Sequence, residues 1–307
     1  MNDACRGVEP FYAVEINRVA NERSRRGLPV IHMEVGQPSA GAPRAAIEEG
    51  HRALRDEQQG YWESEALKER IAALYGERYR LALPPAQIIL SAGASGALVL
   101  AIAVMFRPGA RIALARPGYP AHRNVLRAFG LVPMELDCGP ATRFQPTAGM
   151  IEALEPAPSG LILTSPSNPT GTMLDRTEMA ALAAVCRARG IRIISDETYH
   201  GITFSQHAHS MLEFEPESVV LNSFSKYWCM TGWRLGWAAV PPRLVDAMNR
   251  YSANIFLVPP TLAQHVALVA LDGHAELEAH VATYATNRQL LMEGLPRLGI
   301  TRMAPAD

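Results

Sequence analysis

Short apolar runs alternate with longer, periodically apolar segments along most of the chain. From about residue 43 to residue 270 this alternation has the lengths expected of strands and helices. Strands are predicted near residues 88–91, 111–115, 131–136, 161–164, 191–195, 218–222 and 234–240. The last closely follows the one before it, so we expect it to be the antiparallel member. The pattern therefore predicts an α/β fold with a doubly wound, mostly parallel seven-stranded sheet.

The regions on either side predict a second, smaller domain. Residues 9–26 have the pattern of an amphipathic helix that stops at Gly27, and residues 30–34 predict a short strand. Residues 276–295 predict a long helix. We expect three parts: residues 1–42 contribute to a small α+β domain, residues 43–271 form the large domain, and residues 272–307 begin the rest of the small domain.

Composition narrows the class of protein. The chain has 307 residues, 48% of them hydrophobic, and 29 basic against 30 acidic side chains. Charge is balanced and no basic tract is present, so we expect neither a nucleic-acid partner nor a membrane. The longest apolar stretch, residues 97–106, is too short to span a bilayer, and the first ten residues do not resemble a signal peptide. Four cysteines without a CxxC pair are typical of reduced thiols in a cytoplasm.

The segment NSFSKYWCMTGWRLGW, residues 222–237, contains the strongest chemical pattern. Lys226 lies between two hydroxyl residues, Ser223 and Ser225, and eight positions before Arg234. A lysine that performs covalent chemistry must be a free amine near neutral pH, which requires burial or a nearby positive charge. Hydroxyls and an arginine beside it suit a phosphate. A reactive lysine next to a phosphate site indicates pyridoxal 5′-phosphate (PLP).

Two other strand ends supply further groups that PLP requires. Asp196 ends the buried strand of GIRIISDETYHG and could hold the proton on a pyridine nitrogen, with Tyr199 close by. Asn168 follows the strand of GLILTSPSNPTG, where its amide could donate to a phenolic oxygen. Ligands of open α/β sheets gather at this end of the strands.

Two turns complete the predicted cofactor site. In SAGASGAL a glycine-containing turn opens an apolar helix, and backbone N–H groups at such a start bind phosphate well. In RPGYP, Tyr119 follows a strand at a position where its ring could stack on the cofactor.

Each of these residues also has a purely structural interpretation. Asp196 could cap the next element, Asn168 could serve its turn, and Tyr119 could only pack. Ser225 could be small for steric reasons alone. A metal site at His200, His207 and His209 is disfavoured, because no cysteine or carboxylate stands at ligand spacing, and we expect none.

Taken together, these motifs resemble fold-type I PLP-dependent enzymes, specifically the class I/II aminotransferase family, from about residue 35 onward. The resemblance makes Lys226 the Schiff-base lysine, Asp196 the partner of the pyridine nitrogen, and Asn168 and Tyr199 the groups on the phenolic oxygen. It also implies that Tyr119 stacks on the ring and that Gly36, in VGQPSAGAP, helps to hold the substrate carboxylate. The implied phosphate ligands are Ala94 and Ser95 through their backbone, Ser223, Ser225, Arg234 and, from the other subunit of a homodimer, Tyr61.

The resemblance implies an enzyme that moves an amino group between an L-amino acid and a 2-oxo acid. A C–S or β-elimination lyase on the same fold uses the same residues and stays open as an alternative. Family members usually continue for roughly another 80 residues, a domain-sized length that includes the arginine for the substrate carboxylate. We therefore expect the small domain to be incomplete here, which leaves a catalytically impaired PLP-binding protein as a further alternative.

Overall fold

The computed structural model describes residues 7–301 and 303–307. The ten α-helices of this part of the chain are α1 (Tyr12–Arg25), α2 (Arg44–Asp56), α3 (Glu65–Tyr79), α4 (Gly93–Met105), α5 (Pro120–Ala128), α6 (Ala148–Glu152), α7 (Arg176–Ala188), α8 (Pro242–Ile255), α9 (Thr261–Ala270) and α10 (His274–Arg297). The strands are β1 (Ile88–Ser91), β2 (Arg111–Arg116), β3 (Val132–Asp137), β4 (Gly160–Thr164), β5 (Arg192–Asp196), β6 (Val219–Ser223) and β7 (Gly236–Ala239).

The strands form one seven-stranded sheet in the order β1-β7-β6-β5-β4-β2-β3. Only β7 runs antiparallel to its neighbours, β1 and β6, and all other pairs are parallel. The predicted fold class, strand positions and antiparallel strand are therefore confirmed. Thr164 of β4 lies opposite Asp196 of β5, which lies opposite Leu221 of β6, so the carboxyl ends of these strands meet at one edge.

Both faces of the sheet are buried, which explains the continuous apolar runs. On β4, Leu161 and Leu163 join one core cluster, and Ile162 between them joins the other. Helices α4, α5 and α8 contribute to the cluster that contains Ile162. Helices α2, α3, α6, α7 and α9, and α10 through Leu277, contribute to the opposite one. Each fully buried Leu or Ile contributes about 1.5–3 kcal/mol, so this sheet is a rigid platform for the loops at its edge.

The flanking segments agree with the sequence in their helices and disagree in one strand. Helix α1 ends as predicted: Gly27 has φ +72°, and the N–H of Leu28 donates to the carbonyl of Arg23 at 3.1 Å. The strand predicted at 30–34 is wrong. No described strand lies beside it to share a hydrogen-bond ladder, and Ile31 and Met33 are 88% and 82% exposed.

None of the helices that the structure describes combines the length and the apolar character needed to cross a bilayer.

Candidate active site

A cleft of about 900 Å³ opens at the carboxyl ends of β4, β5 and β6. The segment between α1 and α2 forms part of its wall, through residues 34–38. All the predicted site residues except Tyr61 line this cleft: Gly36, Ala94, Ser95, Tyr119, Asn168, Asp196, Tyr199, Ser223, Ser225, Lys226 and Arg234. Residues up to 198 positions apart in the sequence are thus brought together by the parallel strand ends, as expected for ligand sites of open α/β sheets.

Asp196 is a buried, ionised carboxylate at the end of β5. Its Oδ2 lies 3.0 Å from Nε2 of His122, and its Oδ1 accepts from the N–H and the hydroxyl of Thr198 at 3.2 and 2.6 Å. Burial alone would raise the pKa of Asp196, but the bonds from His122 and Thr198 outweigh it and lower the pKa below its usual value. The carboxylate therefore stabilises its own turn and also presents a fixed negative charge to the cleft.

Asn168 and Tyr199 form a pair of hydrogen-bonding groups in the same cleft as Asp196. The Asn168 amide donates to the Tyr199 hydroxyl at 3.1 Å. Burial, with the charge of Asp196, raises the pKa of Tyr199 to about 12. The phenol thus keeps its proton at neutral pH and can donate it to a ligand oxygen.

The start of α4 has the features of an anion site. Ala92 at the N-cap position offers no side-chain acceptor, so the first N–H groups of the helix remain available. A Cβ on Gly93, which has φ +71°, would lie 2.7 Å from the Arg234 guanidinium, so this cation sits directly on the helix start. Arg234 donates to the Thr231 carbonyl, and no carboxylate of the described ranges pairs with it. Two positive features side by side favour an anion between them.

Two hydroxyls at the carboxyl end of β6, from Ser223 and from Ser225 just beyond the strand, line the same cleft as Arg234. Ser223 Oγ is 2.8 Å from Ser225 Oγ and 3.2 Å from the Leu235 carbonyl. Ser225 is therefore part of a hydrogen-bonded pair, and its role is not only to be small. Both side chains line the cleft, so their hydroxyls can extend the anion site.

Lys226 is half-buried, with Nζ 2.7 Å from the Gly36 carbonyl and 5.9 Å from the centre of the Tyr199 ring. Burial, and secondarily the charge of Arg234, lowers the pKa of its amine. The chain contains only one other lysine, Lys68, which pairs with Glu63 and Glu65 and does not line the cleft. Lys226 is thus the only lysine that can perform amine chemistry in the cleft. Counting the lysines in the sequence would have strengthened the prediction, because there are only two.

Sequence reasoning missed His122 and Thr198. Thr198 could have been found as the residue two positions after a turn-forming aspartate. His122 carried no such signal, since it lies on α5, 74 positions before its partner Asp196. Tyr119, which precedes it, packs edge-on against His122 and Phe11 with centroids 5.3 and 5.8 Å away. Tyr119 therefore both packs and faces the cleft.

Tyr61 lies outside the cleft of its own chain and is 84% exposed, so its role across a subunit boundary stays a prediction. Two of the three histidines in the 200–209 segment, His200 and His209, contact other residues. His200 contacts Tyr79 and Ser165, and His209 lies 3.2 Å from Glu213. Within residues 7–301 and 303–307, no group of three or more side chains is arranged to hold a metal ion.

A doubly wound sheet whose strand ends combine a lysine, a buried carboxylate and an anion site defines a fold-type I PLP-dependent enzyme. A sequence profile of the family described as aminotransferase class I and II matches residues 29–306. The chain belongs to this family, whose members use PLP, and it is an aminotransferase that acts on amino and oxo acids.

The relatives agree with this assignment. A valine–pyruvate aminotransferase of Mycobacterium tuberculosis is 42% identical over 98% of this chain and 79% of its own length. An aspartate aminotransferase of Geobacillus stearothermophilus is 30% identical over 87% of this chain and 70% of its own length.

Solved structures agree in fold. A crystal structure of an aminotransferase from M. tuberculosis has a TM-score of 0.95 at 42% identity and covers 98% of this chain and 80% of its own. The aspartate aminotransferase of Thermus thermophilus with maleate has a TM-score of 0.94 at 27% identity and covers 100% and 82%. These comparisons support transamination and give no support to the lyase or to a protein that only binds PLP.

Proposed function

We propose that this chain binds PLP through Lys226 and transfers the amino group of an amino acid with an apolar side chain to a 2-oxo acid such as pyruvate. The observation that carries the cofactor assignment is that Lys226 lines one cleft together with the Asp196 carboxylate and the anion site at α4. When bound, PLP supplies an electron sink for the pair released at the substrate Cα.

The residues of the cleft have separable tasks in this proposal. The N–H groups of Ala94 and Ser95, the hydroxyls of Ser223 and Ser225, and Arg234 bind the phosphate. Asp196, kept ionised by His122, holds a proton on the pyridine nitrogen. Asn168 and Tyr199 donate to the phenolic oxygen, and Tyr119 covers the ring.

Lys226 Nζ is the base that accepts the proton from the substrate Cα. Its lowered pKa supports this task, because a larger fraction of the amine is uncharged at neutral pH. The Gly36 carbonyl, which accepts from Nζ at 2.7 Å, places residues 34–38 beside the substrate position. This contact supports Gly36 as a substrate-binding residue.

The lining of the cleft favours an apolar substrate side chain. The apolar and aromatic residues that line the cleft together with Lys226 include Phe11, Tyr12, Val35, Ile202 and Phe204. Besides Arg234, the arginine that lines the described cleft is Arg123, which pairs with Glu9 at 2.7 Å and Glu135 at 3.3 Å. A carboxylate in the substrate side chain would gain little from Arg123, because Glu9 and Glu135 already neutralise its charge. An apolar substrate side chain, in contrast, is stabilised by burial. The name of the 42% identical relative agrees with this preference.

The experiment is a donor panel with the PLP-loaded protein and pyruvate as acceptor. Valine and leucine should be better donors than aspartate, and aspartate as the best donor would refute the substrate class. Borohydride reduction followed by peptide mapping should place the cofactor on Lys226. Lys226→Ala should lose the visible absorbance of lysine-linked cofactor and the activity. The matched control, Lys68→Ala, removes the only other lysine and should keep both; an unchanged band in Lys226→Ala would refute the site.

We also propose that the protein is a homodimer in which Tyr61 reaches the phosphate of the other subunit. The 84% exposure of Tyr61 and the partial exposure of Trp62 beside it support a surface that a second subunit covers. Light scattering at micromolar concentration should give the mass of a dimer. Tyr61→Phe should then weaken PLP binding, and a monomer that binds PLP tightly would contradict the proposal.

The division into 1–42, 43–271 and 272–307 is likewise a proposal. It is supported by the outer helices, because α1 contributes to neither core cluster and only Leu277 of α10 is fully buried. The buried free thiols of Cys138, Cys186 and Cys229 support our proposal of a cytoplasmic location, while Cys5 lies outside the described residues.

A further inference from the structure

His200 follows the cleft residue Tyr199 and joins its own segment to the one that carries Asn168. It is 1% exposed, and its Nε2 lies 2.9 Å from the carbonyl of Ser165, 35 positions earlier in the chain. A carbonyl only accepts, so the ring proton is on Nε2. Its Nδ1 lies 2.6 Å from the hydroxyl of Tyr79 on α3, which must therefore be the donor. The ring is neutral, because burial lowers the pKa of His200 to about 3.

The segment that His200 contacts is a closed loop. The N–H of Ser167 donates to the Thr172 carbonyl at 3.0 Å, and the N–H of Gly171 donates to the Ser167 carbonyl at 2.7 Å. The N–H of Leu174 donates to the Ser165 hydroxyl at 3.0 Å. A loop that is bonded to itself in this way moves as a unit, so its anchors decide where its side chains lie.

Asn168 projects from this loop, and its amide contacts Tyr199, the residue immediately before His200. Two links therefore join the same two segments. The buried link is from His200 to Ser165, and the link in the cleft is from Asn168 to Tyr199. The buried link is made of protein groups alone, and it can set the geometry of the link that the ligand uses.

We propose that His200, oriented by Tyr79, is a positioning residue that holds the 165–174 loop so that Asn168 and Tyr199 donate to the same cofactor oxygen. This inference rests on the proposed PLP site.

Other ionisable groups face the histidine without displacing Tyr79. Glu197 Oε2 is 3.5 Å from Nδ1, farther than the Tyr79 hydroxyl. The remaining charged or titratable neighbours are Tyr75 and Arg78 on α3, Asp196 on β5, and His209 and Glu213. None of them makes the short contact to Nδ1 that Tyr79 makes, so the tyrosine is the group that orients the ring.

The experiment measures the pH titration of the visible band of lysine-linked PLP. His200→Phe removes both hydrogen bonds of the ring and frees the loop. With its donors displaced, the phenolic oxygen becomes more basic and retains the neighbouring proton more strongly. The apparent pKa of the band should therefore rise by about 0.5 unit or more. Tyr199→Phe, which removes a donor outright, sets the upper limit of this shift.

Three further variants separate positioning from general loosening. In His200→Gln the side-chain amide can donate to the Ser165 carbonyl, so the apparent pKa of the band should be close to that of the parent protein. Tyr79→Phe removes the contact to Nδ1 and leaves the bond from His200 to Ser165, so it should raise the apparent pKa of the band by a smaller amount. Tyr75→Phe is the matched control, because Tyr75 lies one turn away on α3 and bonds to Trp237 instead of the loop. Tyr75→Phe should lower thermal stability and leave the apparent pKa of the band unchanged.

The outcomes are distinguishable. A parent protein without a lysine-linked band would refute the proposed function itself. If the parent has a normal band and His200→Phe does not change its apparent pKa, the role of His200 is overturned. The same holds if Tyr75→Phe changes the apparent pKa as much as His200→Phe does. If His200→Phe does not fold, Tyr79→Phe decides: a shifted band supports positioning and an unshifted band overturns it.

Discussion

Gly236→Ala should weaken both the fold and the cofactor site, since the start of α4 packs directly on β7. A Cβ at Gly236 would lie 2.6 Å from the Asn222 carbonyl oxygen, 2.7 Å from the Gly93 carbonyl carbon and 2.8 Å from the Ala94 nitrogen. All three are backbone atoms, so no side chain can rotate away. Ordinary contact begins near 3.4 Å, so the backbone must separate by about 0.6–0.8 Å.

Gly236 has two backbone neighbours, β6 and the start of α4, and the start of α4 is the one that can move more easily. Gly236 pairs with Ser223 of β6 and Ser91 of β1, so β7 is held on both sides by the sheet. We therefore expect α4 to move away from β7, which relieves the contacts with Gly93 and Ala94, while the contact with Asn222 remains as strain within the sheet. Overpacking of this kind costs about 1–3 kcal/mol of folding free energy. A retreat of that size would also stretch the proposed N–H bonds from α4 to the cofactor phosphate beyond hydrogen-bond length. Losing one bond to a charged group, worth about 1.5–3 kcal/mol, weakens PLP binding by roughly tenfold to a hundredfold.

The assay combines thermal unfolding without PLP and a PLP titration. The melting temperature should fall by several degrees, and the Kd for PLP should rise. Gly232→Ala is the matched control, since a Cβ there meets nothing within 4 Å. If Gly236→Ala and Gly232→Ala have the same melting temperature and the same Kd for PLP, the packing of α4 on β7 does not determine the position of the proposed phosphate site.

Two further substitutions test the buried carboxylates at the end of β5. Asp196→Ala should retain some PLP but lose on the order of 10²-fold or more in kcat, because the ring nitrogen loses its buried partner; an unchanged kcat in steady-state assays would remove Asp196 from the site. Glu197→Gln tests whether the Glu197 carboxyl is protonated, since burial raises its pKa to about 8. The folded parent then binds more protons than the unfolded chain between about pH 4.5 and 8, so its stability falls as pH rises through that window. Relative to the parent, the variant should gain about 1.4 kcal/mol per pH unit there in urea unfolding. A difference that does not change with pH would contradict a protonated Glu197.

Much of the site was predictable because its groups stand at strand ends. Asp196, Asn168 and Ser223 each follow an apolar run, and parallel strands bring such ends to one edge. Lys226 and Arg234 were readable from one short motif. The failed strand at 30–34 has the opposite cause. A strand requires a neighbour to pair with, and local pattern does not contain that information.

By itself, the sequence determined the alternation of buried strands and helices, the antiparallel last strand and the position of the candidate lysine, Lys226. These features depend on residues that are close in the chain. Only the tertiary structure decided which distant groups support them. His122 reaches Asp196 across 74 positions, and Tyr79 reaches His200 across 121. The hydrogen-bond partner of a buried polar group is chosen by packing among many candidates of the same chemistry, so no local pattern specifies it.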